Sequence, residues 1–171
     1  ALLTIFEKDG RWSEAAEILR RKVEQASDPE WAVELLTRLA SLHAEKLDQH
    51  AESIQIWSEV ARRKPSHPGA NMALRDAYVA TSRWDDLIAL FEAQNRLGQA
   101  IDVLYQAAEG VGDEAERLAL YRRIATLSRD RLGEPERGLK ALEQVLAIQP
   151  DNQQVARQLL PIYREKGDWG H

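Results

Sequence analysis

The chain has 171 residues, enough for a buried core, with 23 basic and 28 acidic side chains and a net charge of −5. Residues 1–85 carry 14 acids and 12 bases and residues 86–171 carry 14 and 11, so neither half has the basic excess of a duplex-binding surface. The absence of cysteine excludes disulfides and thiolate metal sites; with no apolar run of about 18 residues and no signal-peptide pattern, a cytoplasmic location is the expectation.

Apolar residues recur at spacings of three and four, and no stretch alternates with period two, so helices are expected throughout. Leu2 to Asp9-Gly10 reads as the back half of a helix, and Trp169-Gly170-His171 as the first step of another, which suggests a fragment of a longer array. Trp12 to about Ala26 follows, with Ala15, Ala16, Leu19 and Val23 on one side. Ser27-Asp28-Pro29 is a cap with proline at the first helical position. Trp31, Leu35, Leu39 and Leu42 form the next stripe, and Leu47-Asp48 turns the chain. Ile54, Trp57 and Val60 make a helix stopped by Pro65. Pro68 opens another through Leu74 and Tyr78 to Thr81, and Trp84, Leu87, Ile88 and Phe91 start one more.

The second half repeats this plan: a turn at Asn95–Gly98, a helix through Ile101, Leu104 and Ala108, and one from Leu118 to Leu127 leading to Leu132-Gly133. Pro135 begins a helix ending at Pro150, and Asp151 is read as the cap of the last. Slid by 85 without gaps, 18 of 86 overlaid positions are identical, among them Phe6/Phe91, Ala15/Ala100, Leu19/Leu104, Ala40/Ala125, Pro65/Pro150 and Trp84/Trp169. The matches fall on apolar faces and turns, so residues 1–85 and 86–170 are read as two copies of one packing plan within a single array, 1–171.

The chemistry a catalyst needs is not assembled. His43, His50, His67 and His171 form no His-Glu-x-x-His pattern, no Gly-rich loop follows a strand, and serines lack a nucleophile-elbow context. Carboxylates pair with bases three or four positions on, as Glu17 can with Arg21 and Glu59 with Arg63. The tryptophans recur at fixed places in the repeat, so Trp12, Trp57 and Trp84 are read as fillers between helices. Arg62-Arg63-Lys64 sits at a helix C-terminus, where the dipole favours cations. Catalytic, cofactor and metal sites are therefore not expected.

The recurring pattern resembles the tetratricopeptide repeat family. Leu39-Ala40, Ser53, Trp57, Val60 and Pro65 stand at that family's positions in one unit, and Ile124-Ala125, Gly138, Leu142, Val145 and Pro150 in another. Leu74, Tyr78, Trp84, Leu87 and Phe91 form a third set, and Leu159, Tyr163, Gly167 and Trp169 begin a further copy. Residues 84–112 depart from the plan, being too long for one standard helix; a turn at Asn95–Arg96 is preferred over one through-running helix because Asp9-Gly10 holds the equivalent place in the first half.

The resemblance implies an all-α, right-handed α-α superhelix of about nine or ten helices. It also implies a non-catalytic scaffold whose first helices line a concave surface for a peptide or partner helix. The lining would draw on Glu34, Thr37, Ser41, Glu45, Met72, Asp76 and Val79, then Arg122, Thr126, Arg129, Arg157 and Arg164. Arginines there suit an acidic protein segment through bidentate hydrogen bonds. Alternatives are a structural spacer or self-assembly element, with self-association through uncapped ends, and a nucleic-acid-binding helical repeat, which the acidic balance disfavours.

Overall fold

A computed structural model describes residues 2–166; in the last helix the side chains of Pro161, Ile162, Arg164, Glu165 and Lys166 fall outside the described set, as does the turn expected at Gly167-Asp168-Trp169. The described residues form ten α-helices and no strand: α1 Leu2–Lys8, α2 Trp12–Gln25, α3 Pro29–Glu45, α4 His50–Arg63, α5 Pro68–Ala80, α6 Trp84–Glu92, α7 Leu97–Gly110, α8 Glu114–Leu127, α9 Pro135–Ile148 and α10 Gln153–Lys166. One π-helical turn, Ser128–Leu132, extends α8. No helix among them is long and apolar enough to cross a membrane.

Local chemistry sets the boundaries. The Asp28 side chain accepts from the Glu30 amide at 3.0 Å, with Pro29 at the first helical position of α3. α5 is capped by an unexpected residue, His67, whose Nδ1 accepts from the Ala70 amide at 3.1 Å. α10 is capped by Asn152, whose Oδ1 accepts from Val155 N at 3.2 Å, and not by Asp151 as the sequence suggested. Both candidates suit an N-cap chemically, so only the helix start separates them.

The 85-residue spacing reappears in the backbone. α7 begins and ends 85 positions after α2, and α9 does the same after α4. Left-handed backbone recurs at the same interval, at Gly10 (φ 70°) and Asn95 (φ 56°) and at Asp48 (φ 53°) and Gly133 (φ 72°). The Asn95 turn settles residues 84–112 as two helices, α6 and α7.

The contacts group Ala1–Gln94 and Asn95–His171 into two compact units. In the first, each helix from α1 to α6 packs on its neighbours in sequence order; in the second, α7 to α10 do the same. One core cluster of the first unit joins Leu3, Ala15, Ala16 and Leu19 to Leu35, Leu39 and Leu42. The corresponding residues Ala100, Ile101, Leu104, Leu120, Ile124 and Leu127 are buried in the second.

Small residues let hairpin partners approach closely. Ser53 Oγ donates to the Ala40 carbonyl at 2.8 Å between α3 and α4. At the equivalent contact of α8 and α9, a Cβ on Gly138 would sit 2.9 Å from the Ala125 oxygen. Of the tryptophans, Trp57 is buried, Trp12 and Trp84 are half-buried, and Trp31, read as part of the α3 stripe, is 44% exposed. Its place in the first turn of α3 puts it beyond the neighbouring core.

Candidate partner-binding groove

α8 and α10 flank a groove of about 210 Å³ in the second unit, with α9 beneath. Ala125, Leu142 and Val155 line its floor; Arg122, Thr126 and Arg129 stand on one wall, and Gln154 and Gln158 on the other. The spacings follow from helical periodicity: 122, 126 and 129 are i, i+4 and i+7 on α8 and its π turn, and 154 and 158 are i and i+4 on α10.

The first wall is cationic. Arg122 is exposed and enters no ion pair among the described residues. Arg129 is paired with its neighbour: Nε to Asp130 Oδ1 at 2.6 Å and Nη2 to Oδ2 at 3.2 Å. Hydrogen bonding between them raises the arginine and holds the Asp130 carboxyl below the usual carboxylate range. The Thr126 hydroxyl is turned back onto the Arg122 carbonyl at 3.1 Å. No acidic side chain lines this groove among the described residues. Guanidinium groups over an apolar floor, faced by neutral amides, suit an anionic ligand that also offers backbone hydrogen bonds.

Of the residues expected from sequence, Arg122, Thr126 and Arg129 are thus brought together. Arg157 lies on α10 one position from Gln158, about 100° around the helix, and does not line the groove. Arg164 is in α10, with its side chain outside the described set. Met72 and Asp76 belong to α5 of the first unit, where Met72 is 60% exposed and Asp76 pairs with Arg75 at 2.7 Å. Sequence reasoning missed Gln154 and Gln158. A signal existed in the repeat: the first-half counterparts of 122, 129, 154 and 158 are Thr37, Ala44, Gly69 and Ala73, so four wall positions change together.

The first half also shows why a groove opens in the second. Trp57 stands where Leu142 does, its ring 6.0 Å from that of His67 and its Cη2 3.6 Å from the position a Cβ on Gly69 would take. Indole and imidazole fill space that leucine and Asn152 leave open.

A larger cavity of about 770 Å³ lies between α7 and α9 over Tyr121. In it Arg137 pairs with Asp102 and, at 3.3 Å, with Glu134, and Tyr163 donates to Glu143 at 2.5 Å. Burial pushes its Tyr105 phenol up, while the hydroxyl donates to the Arg137 carbonyl at 3.1 Å. An apolar groove in the first unit, about 250 Å³ between α4 and α6, carries Arg62 and Asp86, both already paired.

No protein-family model and no curated protein matches the chain. Among solved structures, the crystal structure of MamA aligns at 15% identity over 98% of this chain and 86% of that chain, with a TM-score of 0.42.

Proposed function

We propose that this chain is a non-catalytic protein-interaction module, built on the tetratricopeptide-like plan its sequence resembles, and that the α8–α10 groove engages an acidic segment of a partner protein. The observation that carries the reading is the placement of Arg122 and Arg129 on one wall over the apolar floor of Ala125, Leu142 and Val155, with no acid in the lining among the described residues. Arg157 and Arg164 on α10 add cationic charge to the same unit. Arginine recognises carboxylates through two parallel hydrogen bonds, so two such groups along one wall select a segment with more than one acid. Reversing both, in the double variant Arg122→Glu and Arg129→Glu, is expected to weaken capture of an acidic peptide at least tenfold in fluorescence anisotropy, with the far-ultraviolet circular dichroism unchanged. Undiminished capture would reject the site.

A second reading, self-association, draws on a different observation: α1 leaves Leu2 59% and Ile5 50% exposed. Replacing both with serine would then lower the sedimentation coefficient at high concentration; an unchanged value removes this reading and leaves the groove untouched.

A further inference from the structure

Arg122 and Arg129 share a wall but not a state. Arg122 is in no ion pair among the described residues, whereas Arg129 gives two hydrogen bonds to the carboxylate of Asp130. The pair is exposed on both sides, at 57% and 47% of the side chains, so water and a ligand can reach it. We propose that Asp130 is a built-in competitor for the groove: it occupies Arg129 in the free protein, and an acidic ligand must displace it to use both arginines. The proposal rests on the groove reading above and names the residue that sets its affinity.

Three features support this. First, the arrangement of the Asp130 carboxylate on the guanidinium, two near-parallel N–H···O contacts, is the one an incoming carboxylate would need, so the two exclude each other. Second, the first half carries an acid at the equivalent place, Glu45, beside Ala44, so an acid here does not depend on an arginine to hold. Third, because Arg129 holds the Asp130 carboxyl below the usual carboxylate range, glutamates of a ligand lose their charge before Asp130 does. Mild acid therefore weakens binding and does not relieve the competition.

The test uses fluorescein-labelled hexaglutamate and five proteins: wild type, Asp130→Asn, Arg129→Gln, the double variant of these two, and Arg122→Glu. Exposed ion pairs are weak, so removing the competitor is expected to tighten binding about two- to fivefold. In the Arg129→Gln background, Asp130→Asn is expected to change the affinity by less than about half that factor, because the competition acts through Arg129. Equal tightening in both backgrounds means that Asp130 merely repels anions at long range and overturns the proposal. So does an Asp130→Asn variant that binds no better than wild type. Arg122→Glu separates the two levels. If it leaves hexaglutamate binding unchanged, or if wild type does not bind the probe, the groove reading falls and the competition with it. If it weakens binding while Asp130→Asn is neutral, only the competition falls.

Discussion

Gly138→Ala is the sharpest test of how the helices approach one another. A Cβ at this position would lie 2.9 Å from the Ala125 oxygen, 3.6 Å from its Cα and 3.7 Å from its carbonyl carbon. All three are backbone atoms of α8 and cannot rotate away, so α9 would have to retreat by about half an ångström to restore an ordinary carbon contact. Retreat loosens Leu139, Ala141, Leu142 and Val145, which are buried on α9. Overpacking of this kind costs about 1–3 kcal/mol, against a gain of about 0.5–1 kcal/mol for alanine over glycine within a helix. Taking the middle of each range, the net expectation is a loss of about 1 kcal/mol, or a fall of about 2–4 °C in the thermal midpoint of a chain this size. Gly110→Ala is the matched control. It ends α7, and nothing lies within 4 Å of where its Cβ would be, so only the chain-entropy gain remains and the midpoint should rise slightly. Calorimetry reads both. A Gly138→Ala midpoint at or above wild type refutes the close approach, and equal falls in both variants would show that the effect is not the contact.

Two further outcomes follow from polar groups. His43 is 2% exposed; its Nε2 accepts from Arg20 Nη2 at 3.2 Å and its Nδ1 faces Gln49 Oε1 at 2.7 Å, which fixes the Nδ1–H tautomer because arginine can only donate. His43→Leu removes both hydrogen bonds while the exposed Arg20 and Gln49 turn to water, so it should cost about 1 kcal/mol in urea unfolding; a neutral result would show the network to be idle. Glu59 is held below the ordinary carboxylate range by hydrogen bonds from Arg62, then Arg63. The unfolded chain therefore binds that proton more tightly, and the stability this carboxylate contributes is present above about pH 4.3 and lost as pH falls through its lower folded value. Glu59→Gln should flatten the acid limb of a stability–pH curve and leave its slope above neutrality alone; an unchanged acid limb contradicts the assignment.

Helix positions were legible because the apolar period, the prolines at 29, 68 and 135 and the turn at Asn95 act locally, within one helical turn of the residues they control. The groove was half legible. Arg122 and Arg129 fall in one groove lining because they lie seven apart, close to two full helical turns. Arg157, expected beside them, lies one position from Gln158, and one residue rotates a side chain by about 100°. The start of α10 shows the same one-residue uncertainty in Asn152 against Asp151. The buried His43 was hidden for another reason, its dependence on a partner far along the chain, Arg20 at 3.2 Å from Nε2; the His67 cap is local, on Ala70 N, but histidine is not among the residues that mark an N-cap. The π turn at Ser128–Leu132 has no composition that marks it, although the buried Ser128 hydroxyl lacks a hydrogen-bond partner there.

If the groove exists because an aromatic filler is missing, then restoring the filler should close it without touching an arginine. Leu142 is the counterpart of Trp57, and Gln154 of Gly69. In the first unit the indole tip lies 3.6 Å from where a Cβ on Gly69 would stand, an ordinary contact distance, so a methyl would fit there and only a longer side chain could crowd the ring. Leu142→Trp alone would meet the Gln154 side chain; the double variant with Gln154→Gly reproduces the first-half pair. The added indole covers the floor formed by Ala125, Leu142 and Val155 and can bury about 150–250 Å² of its own surface, so stability should hold while affinity for an acidic probe falls at least tenfold. Gln154→Gly on its own removes one amide and one helix-favouring residue, and should weaken binding by less. Were the filled variant folded, with Arg122 and Arg129 intact, and still bound the probe as wild type does, the arginines would be acting as surface charges, and the apolar floor would have no part in recognition.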